Sequence, residues 1–362
     1  MTAVTLKKVS KRFDDVVAVD GIDLEVLAGE FLVIVGPSGC GKSTTLRMIA
    51  GLEEVSAGEI RFDGQPVTEV SGRNRDVAMV FQDYALYPHM SARRNITFGI
   101  GDEFNDDEIL RRGGTAAKNL WIEGLLGRKP AQMSGGEQHS VALGRGIWRG
   151  PSVVLMGGPL SYLDAKLRVE MRSELARLHR DIGTTTIYVT HDQTEAMTLG
   201  DRVAVLSEGE LKQVDTPQQL YDFPEDVFVA TFIGDPGMNL VPVQLSESEI
   251  DHPDFSGTVK GYSGAQQNVI FGVRPEDFTI SAESATAAEN TVTAELKVSE
   301  ALGDSLMLHC LLTTGESIVV RSPPRQDFRP GTQLELAYDP ERLHLFDPDS
   351  GAALYHGAGP SS

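Results

Sequence analysis

Two cysteines, Cys40 and Cys310, are all that this 362-residue sequence contains, too few for a disulfide framework. No apolar run reaches the roughly 18 residues that a bilayer-spanning helix requires, so membrane contact is expected only through partners. The opening residues, MTAVTLKKVSKRF, hold no apolar stretch of the kind a secretion signal uses, which together with the scarce cysteine favours the cytoplasm. Basic residues are also in short supply: 32 Lys and Arg stand against 52 Asp and Glu, a formal net charge of -20. That balance disfavours nonspecific binding to nucleic acid or to an anionic membrane surface. The acids spread along the whole chain and the basic residues are mostly Arg, a surface suited to a cytosol rich in salt.

The length exceeds the usual size of one hydrophobic core, so a large domain and a smaller one are expected. In the first, Glu30 to Val35 is a short apolar, β-branched run that ends at Gly36, the pattern of a buried strand entering a tight turn. GPSGCGKST follows at once: Gly36, Pro37, Ser38, Gly39, Cys40, Gly41, Lys42, Ser43 and Thr44. Its glycines let backbone N–H groups wrap phosphates, Lys42 neutralises their charge, and Ser43 offers a hydroxyl to Mg²⁺. Thr45 to Gly51 reads as the helix behind the loop. A glycine-rich turn without chemistry is the bland alternative, and the strand before and helix after argue against it.

A phosphate loop alone does not separate kinases, GTPases and motor ATPases; further motifs do. MSGGE, Met133 to Glu137, resembles the signature motif of ABC ATPases and puts Ser134, Gly135 and Gly136 at a helix N-terminus, which attracts anions. That resemblance implies use in trans: in a head-to-tail dimer, Ser134 and Gly136 of one copy close on the γ-phosphate held by Lys42 of the other, with Glu137 alongside. Gln82, in VFQDYALYPHM, is similar to the family's Q-loop glutamine, which reaches Mg²⁺ and the attacking water; the segment after it touches membrane subunits in that family. His191, in IYVTHDQTEAM, looks like the switch histidine on the γ-phosphate. Phe13, in KRFDDVVAVDG, matches the aromatic that stacks on adenine. Taken singly, Gln82 would be an ordinary strand-end residue, His191 an inert histidine and Phe13 a core side chain; their order and spacing speak for function.

The pattern breaks at VVLMGGPLSYLDA, which resembles the family's Walker B strand and D-loop. The family carries Asp and then Glu where this chain has Gly157 and Gly158. The Asp supports the Mg²⁺ shell and the Glu serves as general base, and glycine does neither. Asp164, in the D-loop, is not placed to substitute. Binding of ATP is expected to survive, because the phosphate loop and Phe13 are intact, while hydrolysis is expected to be impaired. His139 and Ser140 stand where the family has Gln and Arg, Gly146 where it has Ala, and Trp148 where it has a small aliphatic residue. The stretch 101 to 118 is expected within a helical subdomain that Gly113 and Gly114 weaken.

After Pro217 to Phe223, which reads as a helix, Gly234, Pro236, Gly237 and Pro242 suggest a linker. The short alternating runs beyond it argue a small β-barrel. GVRPEDF, Gly272 to Phe278, resembles a motif of the C-terminal barrels of importer ATPases that serve sugars; an edge turn before a strand is its plain alternative. YPHMSARRNITFG and VATFIGDPGMN look most like the carbohydrate-importing branch, of maltose and glycerol-phosphate type.

The fold expected is α/β: an ABC ATPase domain with a helical subdomain over residues 1 to 235, then an OB-like barrel over 236 to 362. The resemblance implies ATP and Mg²⁺, two membrane-spanning permease subunits, a solute-binding protein, a dimer with itself or a related ATPase subunit, no nucleic acid, and a peripheral place on the cytoplasmic face of the membrane. Two rival classes compete with this assignment. A chromosome or DNA-repair ATPase needs a long coiled coil between phosphate loop and signature, whereas only about 90 residues without heptads lie between Lys42 and Ser134. A nucleotide-dependent clamp that never turns over draws its support from Gly157 and Gly158.

Overall fold

The computed structural model describes residues 1–98, 114, 118, 120, 122–160, 163–259, 261, 262, 264, 267–280, 289–324, 328–357 and 359. The expected helix across 101 to 118 lies, apart from Gly114 and Lys118, outside the described residues. Two compact units are present, Met1–Pro217 and Gln218–Ser362.

The first unit is built on two sheets. Strands β1 (Val4–Phe13), β2 (Val16–Val26), β4 (Ala57–Phe62) and β5 (Gln65–Pro66) form an antiparallel sheet in the order β2-β1-β4-β5. The larger sheet runs β10-β9-β3-β8-β7-β6, with β3 at Phe31–Val35, β6 at Val77–Val80, β7 at Val153–Gly157, β8 at Thr185–Thr190, β9 at Arg202–Ser207 and β10 at Glu210–Asp215. Every residue of β3 is buried, as a parallel strand covered on both faces demands, which is why its sequence is continuously apolar rather than alternating. Helix Lys42–Ala50 packs on β7 and β8 through Leu46 and Ile49 and ends in a left-handed Gly51. The buried Arg75 closes that end: its guanidinium donates to the carbonyls of Met48 (2.6 Å) and Ile49 (3.0 Å), in the last turn at the negative end of the helix dipole.

The second unit holds two curled antiparallel sheets. One runs in the order Glu249–Asp251, Asn239–Ser246, Asn268–Val273, His344–Phe346, Ala353–His356. The other runs Phe278–Ile280, Gln333–Tyr338, Thr291–Ala301, Leu306–Leu311, Ser317–Ser322, with Phe255–Ser256 paired onto Thr291–Ala301. Along Asn239–Ser246 burial alternates strictly, and the inward residues of both sheets share one core around Phe271, Leu296, Leu308 and Leu336.

The contacts divide the chain after Pro217, whereas the sequence suggests a boundary at 235/236. Arg274, in GVRPEDF, supplies the physical reason. Its side chain is 2% exposed, stacks over the Tyr221 ring at 3.6 Å, and donates to the carbonyls of Tyr221 (2.5 and 3.1 Å) and Ile233 (2.6 Å). Helices Pro217–Asp222 and Val227–Phe232 are thereby bound to the barrel. Backbone bonds from Val227 to Gly351 and from Ala353 to Glu225 reinforce the attachment. So the motif is more than an edge turn. Arg274→Ala is expected to destabilise the second unit by about 2–4 kcal/mol, because it strands buried carbonyls as well as removing a packed guanidinium. Denaturant unfolding read on the barrel's transition checks this.

Candidate functional site

The parallel pairing fixes where the loops emerge. Val35 is paired with Thr190 and with Val205, Gly157 with Val189, and Val80 with Met156. The carboxyl ends of β3, β8, β7 and β6 therefore stand side by side, and from them depart the Gly36–Thr44 loop, His191, Gly158 and Gln82 respectively. A crevice at such ends is where open α/β sheets bind ligands.

The loop after β3 is glycine-dependent for steric reasons. A Cβ on Gly36 would lie 2.1 Å from the Leu206 carbonyl oxygen, and one on Gly41 would lie 2.4 Å from that of Ala18. Gly41 precedes helix Lys42–Ala50 without any side-chain cap, so the first-turn N–H groups, at the positive end of the helix dipole, have no side-chain acceptor. Lys42 folds back over the loop: its Nζ donates to the carbonyls of Gly36 (2.8 Å) and Pro37 (2.6 Å) and lies 3.6 Å from Cys40 Sγ. Cys40 is buried beneath, while Pro37, Ser38, Gly39 and Ser43 are exposed and Thr44 is half-buried. Phe13 stands at the end of β1, 43% exposed, with Lys11 Nζ 4.8 Å from its ring centre. An aromatic ring in that position does not serve the core.

Gln82 and His191 are both exposed. The loop that bears His191 is held by groups the sequence did not single out. Glu195, buried, accepts from Tyr188 Oη (2.8 Å) and Thr190 Oγ1 (2.6 Å), and burial beside this carboxylate pushes the Tyr188 phenol well above its ordinary range. Asp192 caps helix Gln193–Leu199 through the Glu195 N–H and faces Arg168 at 3.3 Å; the same guanidinium donates to the Leu163 carbonyl at 3.1 Å. Arg168 thus ties the His191 loop to the segment before Asp164.

Ser134, Gly135, Gly136 and Glu137 belong to a second place in this unit. Ser134 caps helix Gly135–Ile147, and a reciprocal pair forms: Ser134 Oγ accepts from the Glu137 N–H (3.3 Å), and Glu137 Oε2 accepts from the Ser134 N–H (2.7 Å). Gly135 and Gly136 face the Leu163 and Leu167 side chains, which sets this helix end beside the segment bearing Asp164. Asp164 caps helix Ala165–Ile182 through the Leu167 N–H at 3.0 Å, so its carboxylate is engaged there.

The two glycines after β7 are not equivalent. A Cβ on Gly157 would meet the Val80 carbonyl at 3.6 Å, Leu46 at 3.7 Å and the Gln82 N–H nitrogen at 3.9 Å, which are ordinary contacts. Gly158 has φ 69°, in the left-handed region that side-chain-bearing residues disfavour. Among the described residues no group of three His, Cys, Asp or Glu side chains is arranged to hold a metal, and no helix is long and apolar enough to cross a membrane.

Comparison with known proteins bears on this arrangement. The family model described as ABC transporter matches residues 19–161, and the model described as TOBE domain matches residues 271–346. A xylose/arabinose import ATP-binding protein of Haloferax volcanii is 46% identical over 100% of this chain and 98% of its own length. An oligosaccharides import ATP-binding protein of Bacillus subtilis is 45% identical over 92% of this chain and 94% of its own. A trehalose import ATP-binding protein of Mycobacterium tuberculosis is 44% identical over 98% of each. Among solved structures, a dimeric bacterial ABC transporter cassette aligns with a TM-score of 0.53 at 30% identity, covering 59% of this chain and 98% of that one.

The local backbone generates an expectation. Gly157→Asp is expected to fold with unchanged stability, whereas Gly158→Glu is expected to cost about 1–2 kcal/mol, the penalty of a side chain in left-handed conformation. Equilibrium denaturation of the two single variants distinguishes them.

Proposed function

This chain belongs to the ABC transporter family of ATP-binding subunits, in its carbohydrate-importing branch, and on that footing we propose that it binds ATP to power or gate uptake of a sugar or related solute. The observation that carries the reading is the convergence of the Gly36–Thr44 loop, Gln82 and His191 at neighbouring strand ends. The phosphate cradle fits a polyphosphate, since the tight packing at positions 36 and 41 holds the loop against Leu206 and Ala18 and leads it into a helix N-terminus with no side-chain cap. Its exposed Ser43 suits a cation held mainly by phosphate oxygens and water, the usual habit of Mg²⁺. Bound Mg²⁺–ATP supplies the phosphoanhydride bond whose cleavage drives the transport cycle in this family. In this reading Phe13 stacks on adenine, Lys42 neutralises phosphate charge, Ser43 and Gln82 face the cation, and His191 senses the γ-phosphate. Ser134 to Glu137, with Asp164 nearby, meet the nucleotide of a partner ATPase subunit.

The chain is an ABC ATPase by family, and its own turnover is the point of departure. Without a carboxylate at 158 to polarise water, the barrier rises by about 3–5 kcal/mol, a factor of 10² to 10⁴ in rate. Two identical copies would share that defect, whereas a partner with both carboxylates needs only this chain's Ser134 and its helix. Two permease subunits, served by a solute-binding protein, dock along Tyr84 to Met90 at the cytoplasmic face of the membrane. Tyr87 and Phe98 support this: they pack ring on ring at 4.5 Å yet remain 37% and 47% exposed. The second reading, a clamp that binds ATP and a transporter without turnover, is favoured specifically by Gly157 and Gly158. An acidic surface of net charge -20 supports a salt-rich cytosol as the working environment.

The test is nucleotide binding and steady-state phosphate release by the same purified chain at high salt. Binding with release slowed by 10² or more relative to ordinary family members is expected; ordinary release shows that another group acts as base. Restoring Asp at 157 and Glu at 158 together is expected to raise release with little change in ATP affinity. Because Gly158 is left-handed, the recovery depends on the backbone at 158 turning to a conformation that accepts a side chain.

A further inference from the structure

Four unusual features meet around Tyr84, at the start of the stretch proposed above to meet the permease subunits, and docking alone explains none of them. Tyr84 and Ala85 both have positive φ, 61° and 43°, consecutive left-handed residues that are not glycine. Arg145, on helix Gly135–Ile147, grips this stretch with both prongs of its guanidinium: one donates to the Ala85 carbonyl (2.6 Å) and the other to the Tyr84 carbonyl (2.8 Å). The Tyr84 hydroxyl is buried without a hydrogen-bond partner among the described residues. Finally His139, on the same helix as Arg145 and 0% exposed, has neither ring nitrogen hydrogen-bonded among the described residues, although its ring lies 5.8 Å from that of Tyr84, edge to face.

Apart from the Arg145 grip, each feature is unfavourable alone. Strained backbone persists only where its surroundings hold it, and buried polar atoms without partners are rare in folded proteins. Together they describe one of two arrangements. In the one observed, Arg145 holds the backbone left-handed and the hydroxyl and imidazole stay apart. In the other, the Tyr84 hydroxyl donates to a ring nitrogen of His139, satisfying both, and the backbone leaves the left-handed region. We propose that Tyr84, His139 and Arg145 form a two-state latch through which the helix capped by Ser134 sets the conformation of the segment following Gln82.

The latch has a route to the nucleotide. The carbonyl of Pro159, next to Gly158, lies beside the His139 ring without completing a hydrogen bond, and burial pushes that imidazole down to about 4, so it is neutral and able to accept. A shift of the Gly157–Pro159 turn therefore acts on His139, and His139 on Tyr84. The other end of the segment is fixed by a different residue. Asn95, fully buried, bonds Tyr87, Met90 and Ser91, so that movement is confined to the stretch around Tyr84 to Leu86. This coupling rests on the nucleotide-binding reading above.

Hydrogen exchange of the full chain with and without ATP, followed on the peptide spanning 82 to 91, tests it. In the wild type ATP is expected to change exchange there by several-fold. Arg145→Gln loses the grip on the observed state, so the peptide is expected to exchange fast with or without ATP. Tyr84→Phe keeps the ring and loses the alternative hydrogen bond, so the peptide is expected to stay slow under both conditions. Opposite baselines are something a merely structural role does not produce. Should the wild type bind ATP with no change in this peptide, or should both variants follow the wild type, the latch is wrong. Should the wild type fail to bind ATP, the nucleotide reading falls, and matching baselines in the two variants would still overturn the latch.

Discussion

The constraint on which the first unit depends is the burial of β3 between β8 and β9. With both faces covered, Phe31–Val35 has no exposed position, and its parallel registers admit no slip without misplacing every loop at its end. The phosphate loop then has to turn within the space left by Leu206 on one side and Ala18 on the other, which is a steric condition before it is a chemical one. Chemistry follows from that packing. Loops from strands β3, β8, β7 and β6 reach the same edge because the strands beneath them are hydrogen-bonded neighbours.

What the sequence made legible was local. The Gly36–Gly41 turn, the Ser134–Glu137 cap and the alternating strands of the barrel are each written within a few residues, since turn geometry, capping and pleat act at short range. Helix Lys42–Ala50 begins three residues earlier than the expected Thr45, because Gly41 already serves as its left-handed entry. What stayed hidden was long-range. Arg274 acts on Tyr221, 53 residues away, and Arg145 on Tyr84, 61 residues away, and the sequence around neither arginine, GVRPEDF included, names so distant a partner. The same holds for Arg168, whose link between Asp192 and Leu163 arises only once helix Ala165–Ile182 has packed. The unequal conformations of Gly157 and Gly158 were equally out of reach, because the one-letter code is identical and only φ tells them apart.

The departures from the family pattern fall into a coherent region. His139 sits on the signature helix beside the Pro159 carbonyl, immediately after the two glycines, and Tyr84 closes the other side. The phosphate cradle lies outside that cluster and keeps its packing. On the proposed reading, recognition of nucleotide and the chemistry performed on it thus occupy different parts of the same sheet edge.

Lys42 carries a last consequence. Its ammonium is already solvated by the carbonyls of Gly36 and Pro37, so an arriving ligand must exchange partners with it rather than meet a bare charge. Neutral or singly charged molecules gain little from that exchange, since two well-formed charge–dipole bonds are lost. A polyphosphate, with several anionic oxygens in reach, tips it. On the proposed reading the loop is therefore a discriminator by charge density: adenosine would find the Phe13 ring, yet only the phosphate tail has the means to draw the lysine out of its own backbone.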